Sequence, residues 1–135
     1  MSQVKIGLEI HAQITELESK LFCSCRGNYR DQRPNTNICE TCCGLPGTLP
    51  IINKKAVEYS AMTSIALGCN VPDKIMFYRK NYFYPDLPKN FQITQYNVYG
   101  FSSIGIESSF DLDDSRKIRI SRIQLEEDPR RIAYL

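Results

Sequence analysis

Residues 4–11 alternate strictly: Val4, Ile6, Leu8 and Ile10 are apolar, and Lys5, Gly7, Glu9 and His11 fill the positions between. A period of two predicts a half-buried strand, and it puts Glu9 and His11 on the same face. The alternation stops over residues 19–50, which are rich in Cys, Gly, Pro and Asn and punctuated by Gly44-Leu45-Pro46-Gly47 and Pro50. Such a stretch reads as a loop that a metal orders better than a core does. Asn53 is a good N-cap, so a helix is expected over about 54–67, stopped by Gly68. Its expected packing stripe is Val57, Ala61, Met62, Ile65 and Ala66.

Beyond the helix, residues 75–84 are dense in aromatics and end at Pro85-Asp86-Leu87-Pro88. Phe91 to Tyr96 reads as a strand. Ile104, Ile106, Ser108 and Phe110 alternate, residues 111–115 turn the chain, and residues 117–125 return as a hairpin partner. Ile118 and Ile120 share one parity, and Ile123 and Leu125 have the other. That change of phase predicts a β-bulge near Ser121. No repeat, low-complexity tract or interdomain linker interrupts the pattern. The fold class is therefore α+β, mainly antiparallel strands with one or two helices.

Composition narrows the class. The 135 residues suffice for one domain with a real core, and 42% hydrophobic with 24% charged residues is ordinary for a globular protein. The net charge of +2 does not by itself argue for nucleic acid. Its distribution says more: Arg116, Lys117, Arg119, Arg122, Arg130 and Arg131 cluster near the end, interrupted by Glu126, Glu127 and Asp128. A solvated edge and a phosphate-facing surface both fit that cluster. No apolar run is long enough for a signal core or a bilayer span, which points to the cytoplasm and no membrane.

In the reducing cytoplasm six cysteines read as metal ligands plus spares. Cys23-Ser24-Cys25 and Cys39-Glu40-Thr41-Cys42 form two close pairs separated by 13 residues. Four thiolates at that spacing suit structural Zn²⁺, and a site filled by four protein ligands leaves no open position for substrate. The chemistry is then expected elsewhere. Cys43 and Cys69 are the spares; Cys43 adjoins a ligand, and Cys69 reads as a small buried hydrophobe.

His11 is the only histidine, with Glu9 on its strand face, and an acidic triplet, Glu126-Glu127-Asp128, ends another strand. Carboxylates and water suit Mg²⁺, which commonly works with nucleotide phosphates. A satisfied structural histidine and solvated charge ahead of a helix begun at Pro129 are the plainer alternatives. Arg79, Lys80, Asn81 and Tyr82 mix cations, an amide and an aromatic ring. They suit a nucleotide, with Arg79 or Lys80 on phosphate and a tyrosine against a base; an aromatic core segment with charged flanks suits them as well.

Taken in order, Gly7-Leu-Glu-Ile-His11, Ser19-Lys-Leu-Phe-Cys23, Pro34-Asn-Thr-Asn37, Gly44-Leu-Pro-Gly-Thr-Leu-Pro50, Asn53-Lys-Lys-Ala-Val57, Arg79-Lys-Asn-Tyr-Phe-Tyr-Pro-Asp86, Gln92-Ile-Thr-Gln95 and Leu125-Glu-Glu-Asp128 closely resemble the B subunit of aspartyl/glutamyl-tRNA amidotransferase (GatB). The Gln-Leu-Glu-Glu-Asp-Pro wording looks closest to archaeal members, and the archaeal E subunit is the nearest alternative. The resemblance implies a catalytic domain similar to the glutamine synthetase fold. It implies ATP- and Mg²⁺-dependent phosphorylation of the side-chain carboxylate of Asp-tRNA(Asn) or Glu-tRNA(Gln). Ammonia released by the glutaminase (A) subunit then gives Asn-tRNA or Gln-tRNA, and the C subunit completes the complex.

Carried over residue by residue, the resemblance puts Glu9 and His11 on the strand facing Mg²⁺. Glu127 matches the acidic metal ligand, with Glu126 and Asp128 beside it, and Lys80 matches the segment beside the active site. Cys23, Cys25, Cys39 and Cys42 match a zinc loop that some members lack. Three departures stand out: Cys43 replaces a usual apolar residue, Pro129-Arg130-Arg131 replaces a common Ala-Gly-Lys, and the family's protein is several times longer than these 135 residues. An N-terminal piece of the catalytic domain, lacking the helical and tail domains that grip tRNA, is therefore expected. The competing expectation is a zinc-stabilised tRNA- or subunit-binding fragment without activity of its own.

Overall fold

The computed structural model describes residues 4–28, 30–85, 87–96 and 102–128. Its elements are α1 (Glu40–Cys43), α2 (Lys54–Ala66), β1 (Tyr78–Asn81), β2 (Phe91–Thr94), β3 (Gly105–Asp113) and β4 (Arg116–Ile123). β1 pairs antiparallel with β2, and β3 with β4, in two separate two-stranded sheets. The α+β class, the strand at β2 and the β3–β4 hairpin agree with the sequence pattern; the pairing of β1 with β2 is added by the structure.

α2 starts and stops where its caps place it. Asn53 Oδ1 accepts from Ala56 N at 3.3 Å, while its Nδ2 donates to Ser19 Oγ at 2.8 Å. One side chain thus satisfies an orphan helix donor and ties the helix to the loop before it. At the far end Gly68 takes φ 70°, and Cys69 N donates back to Ser64 O at 2.8 Å. Glycine adopts that left-handed turn without steric cost.

The buried face of α2 differs from the expected stripe. Ala56, Ser60 and Ser64 are buried, whereas Met62 and Ile65 are 63% and 65% exposed. Close approach decides this: a Cβ on Gly105 of β3 would meet Ser64 Oγ at 2.5 Å and Ile123 Cβ at 3.2 Å. Only small residues fit a helix that near to a strand. Ser64 Oγ donates to Ser60 O at 2.8 Å, so its buried hydroxyl is satisfied within the helix.

The core continues from this contact through Ser102, Ser103 and Ile104 to Gln95 and Leu125, all buried. Gln95 Oε1 accepts from Ile104 N at 3.1 Å and Leu125 N at 2.9 Å. It joins the segments flanking the two hairpins, and its Nε2 is buried without a hydrogen-bond partner among the described residues.

Two further expectations do not hold. Residues 4–11 form no ladder, and Val4, Ile6, Leu8 and Ile10 are each more than four-fifths exposed. Alternation makes a segment fit for pairing, but a strand exists only beside a partner, and no described segment pairs with this one. Nor does the β3–β4 register slip at Ser121: Ile106↔Arg122 and Ser108↔Ile120 keep one register across it. The slip lies between Asp111 and Asp113, next to the turn. Facing Ser121, Glu107 instead takes φ 42°, and this local distortion accompanies the change of phase. Asp86, Pro129, Arg130 and Arg131, which the sequence reading invokes, lie outside the described residues.

Candidate metal centres and the acidic site

The loop ahead of α2 is closed at its base. Asn53 N donates to Leu21 O at 2.8 Å and Ile51 N to Phe22 O at 3.1 Å. Phe22 is buried with its ring edge-on to Phe77, centroids 5.2 Å apart. Inside this frame, α1 turns Cys42 back onto Cys39: Cys39 N donates to Cys42 Sγ at 3.1 Å in a reciprocal capping arrangement.

The thiols of Cys23, Cys25, Cys39 and Cys42 all lie within 4.8 Å of one another. Cys39 and Cys42 sulfurs are 3.5 Å apart, and Cys25 and Cys42 sulfurs 3.7 Å. A zinc–sulfur bond of about 2.3 Å implies tetrahedral edges of about 3.8 Å. The sulfurs therefore already stand near the corners such an ion needs, and the residues fit a structural four-cysteine metal site. Cys43 is outside this quartet, and burial pushes the Cys69 thiol up, as suits an inert small side chain.

Electrostatics differentiate the thiols. Burial pushes the Cys25 thiol up to about 12, helped by hydrogen bonds with Cys39 and Cys42. Burial likewise raises Cys23. Burial also opposes ionisation of Cys39, but the Cys42 N–H and the other thiols outweigh it and bring Cys39 down to about 7. Lys20 Nζ lies 4.0 Å from Cys42 Sγ, where it offsets thiolate charge.

The acidic residues sit at a different place. His11 Nε2 is 3.3 Å from Glu9 Oε1, and His11 Nδ1 is 3.5 Å from Glu126 Oε1. The imidazole thus lies between two carboxylates drawn from opposite ends of the chain. Thr94 Oγ1 donates to Glu126 Oε2 at 3.0 Å, which fixes that carboxylate against β2.

Glu127 is placed otherwise. Lys89 Nζ reaches both its carboxylate oxygens, Ile93 N donates to its Oε2 at 3.3 Å, and Gln92 Nε2 donates to its backbone carbonyl at 2.6 Å. Glu126 thus faces His11, and Glu127 faces Lys89.

The cation-rich segment lies along and just after β1. Lys80 stands opposite Gln92, and its Nζ lies 5.7 Å from the Tyr82 ring centre. Arg79 lies over the Phe91 ring at 4.7 Å, while Asn81 pairs with Phe91 in register. Tyr82 N donates to Asn90 O at 3.1 Å and closes the hairpin. β1 and the acidic segment thus share β2 as their scaffold.

Sequence reasoning missed Lys89 and Thr94. Lys89 resembles any surface lysine in a Pro-rich turn; its one signal is Phe91 two residues on, whose ring its Nζ covers at 4.7 Å.

Among the described residues no helix is long and apolar enough to cross a membrane. The family model for the GatB/GatE catalytic domain matches residues 4–134. The chain is 50% identical over 131 residues to the B subunit of the aspartyl/glutamyl-tRNA(Asn/Gln) amidotransferase of Saccharolobus solfataricus, covering 97% of this chain and 28% of that protein. The B subunit of Aeropyrum pernix is 48% identical over 138 residues, covering 98% and 28%. That of Thermomicrobium roseum is 48% identical over 129 residues, covering 96% and 26%. The chain therefore spans little more than a quarter of the relatives it matches. By the family match along almost its whole length, the chain belongs to the GatB/GatE catalytic domain family.

Proposed function

We propose that the chain forms part of an ATP-dependent centre that amidates Asp-tRNA(Asn) or Glu-tRNA(Gln), working with the glutaminase (A) and C subunits in the cytoplasm. The observation that carries this reading is the meeting of Glu9, His11 and Glu126, within a chain that is about half identical to amidotransferase B subunits. The surrounding domain is read as glutamine synthetase-like, with residues 19–50 as its zinc loop.

The chemistry asks for positioning and charge neutralisation rather than a covalent protein group. A side-chain carboxylate oxygen of the aminoacyl-tRNA attacks the γ-phosphorus of ATP, and the bond to ADP breaks. Ammonia then attacks the acyl carbon, phosphate leaves with the carbon–oxygen bond pair, and a proton is lost from nitrogen. Mg²⁺, when bound, neutralises phosphate oxygens. Glu9, His11 and Glu126 or Glu127 would hold it. Arg79, Lys80, Asn81 and Tyr82 offer cations, an amide and a ring to the nucleotide. Thr94 holds the Glu126 carboxylate in place.

A second reading, a zinc-stapled tRNA- or subunit-binding module without its own activity, is favoured by one observation: Lys89 already engages Glu127. A Mn²⁺ titration followed by electron paramagnetic resonance separates the two. The enzymatic reading expects one saturable site, lost in His11→Ala and weakened in Glu126→Gln or Glu127→Gln. A titration indifferent to all three changes leaves the binding module as the better reading.

A further inference from the structure

We propose that the cavity between Arg26 and Arg33, beside the cysteine quartet, receives a backbone phosphate of the tRNA; this rests on the tRNA-directed reading above. The cavity measures about 630 Å³ and opens broadly to solvent, and its described lining includes Ser24, Arg26, Gln32, Arg33 and Thr36 but no acidic residue. Among the described residues neither guanidinium pairs with a carboxylate. The contrast lies in the β3–β4 hairpin, where Arg116 sits 2.5 Å from Asp113 and Lys117 3.4 Å from Asp111. Those cations already have carboxylate neighbours, whereas among the described residues Arg26 and Arg33 have none.

The loop is shaped to hold both arginines. Asn37 Nδ2 donates to Arg26 O at 2.9 Å, and Thr36 Oγ1 donates to Arg33 O at 2.7 Å. Gln32 Nε2 donates to Asn28 O at 2.9 Å. Neighbouring polar side chains thus fix the backbone from which both arginines project. Arg26 directly follows Cys25, which also lines the cavity, so closing the metal site fixes where Arg26 starts. A zinc tetrathiolate carries a charge of about −2; Lys20 beside Cys42 offsets part of it, and the two arginines add positive charge on the solvent side.

Guanidinium forks match phosphate oxygens in two-bond geometry. A small-molecule pocket encloses most of its ligand. An open cavity with cations on its walls instead suits a polyanion that passes across it, and so the proposed occupant is an RNA strand.

The test uses the complete, zinc-loaded amidotransferase carrying Arg26→Ala/Arg33→Ala, the charge-preserving Arg26→Lys/Arg33→Lys, and Lys54→Ala/Lys74→Ala, at two exposed lysines, as a control matched in net charge. tRNA binding is measured across a salt series, and KM and kcat for the misacylated tRNA are measured beside it. The double alanine variant is expected to weaken tRNA binding several-fold, to raise KM rather than lower kcat, and to lower the salt slope by about 1 per lost contact. The Arg→Lys variant should keep most of the slope, and Lys54→Ala/Lys74→Ala should change little. Zinc content and circular dichroism of each variant check that the fold is kept.

An unchanged affinity and slope in the double alanine variant would overturn the inference. So would binding of inorganic phosphate that depends on Arg26 and Arg33 without any effect on tRNA, which marks a free-anion site. If the wild-type complex binds tRNA but amidates nothing, the proposed activity fails, and the binding arm still decides this site.

Discussion

Lys89 Nζ stands 2.6 Å from each carboxylate oxygen of Glu127, with the two side chains only 9% and 15% exposed. The pair is drawn from segments 38 residues apart and joins the β1–β2 turn region to the acidic strand end. Removing one member leaves the other charge stranded away from water. Lys89→Met should therefore cost about 3–5 kcal/mol of unfolding free energy in urea. Lys89→Met/Glu127→Gln should recover much of that loss, because no bare charge remains. A single-variant loss below about 1 kcal/mol would show that water reaches the carboxylate and that the pair is a surface one.

Gly44 and Gly47 separate backbone strain from steric conflict. Both have positive φ, 69° and 85°, but a Cβ on Gly44 would meet Lys89 Cβ at 2.8 Å, and one on Gly47 would meet nothing within 4 Å. Gly47→Ala should cost about 1–2 kcal/mol for the left-handed backbone alone. Gly44→Ala should cost more, by about 1–3 kcal/mol for the overlap. Thermal melts of the two variants check the order, and equal losses would mean that Lys89 moves aside freely.

The α2–β3 contact makes a similar demand. Gly105→Ala puts a methyl group against Ser64 and Ile123. The expected loss is about 1–3 kcal/mol from overpacking. Ser64→Ala in the same chain removes the nearest atom and should return part of it. Urea midpoints of the single and double variants measure this coupling, and strictly additive losses would contradict the close approach.

Metal removal should act on the loop before the helix. A strong chelator, or Cys42→Ser, is expected to loosen residues 19–50 while α2 keeps its helical signal, since Asn53 caps it independently of the thiols. Amide hydrogen exchange along the chain reads the difference. Zinc must displace thiol protons, so its affinity should fall as pH falls. Co²⁺ in place of zinc should show the absorption of a tetrahedral tetrathiolate, and an octahedral spectrum would disprove the four-sulfur site.

The legible parts of this fold are those in which local chemistry suffices. Asn53 and Gly68 bound α2 because a cap needs only residues within one turn. The β3–β4 hairpin follows from alternation on either side of a turn, and β2 falls within the expected strand, whereas the pairing of β1 with β2 does not follow from alternation, because residues 75–84 do not alternate. The cysteine quartet is readable from spacing, because a short loop can bring two pairs together in few ways. Lys89 is not readable, because nothing in Leu87-Pro88-Lys89-Asn90 says that Glu127 lies beside it.

From the residues alone follow the α+β class, the cap of α2, the β3–β4 hairpin and the four sulfurs that could meet around a metal. Long-range packing makes α2 bury Ala56, Ser60 and Ser64 instead of Met62 and Ile65, and leaves residues 4–11 without a ladder partner among the described residues. It also sets Glu126 against His11 and Glu127 against Lys89. The difference is one of range. Caps, turns and alternation are satisfied within a few residues, whereas a helix face, a strand's partner or a carboxylate's counter-ion depends on which distant segment the folded chain brings alongside.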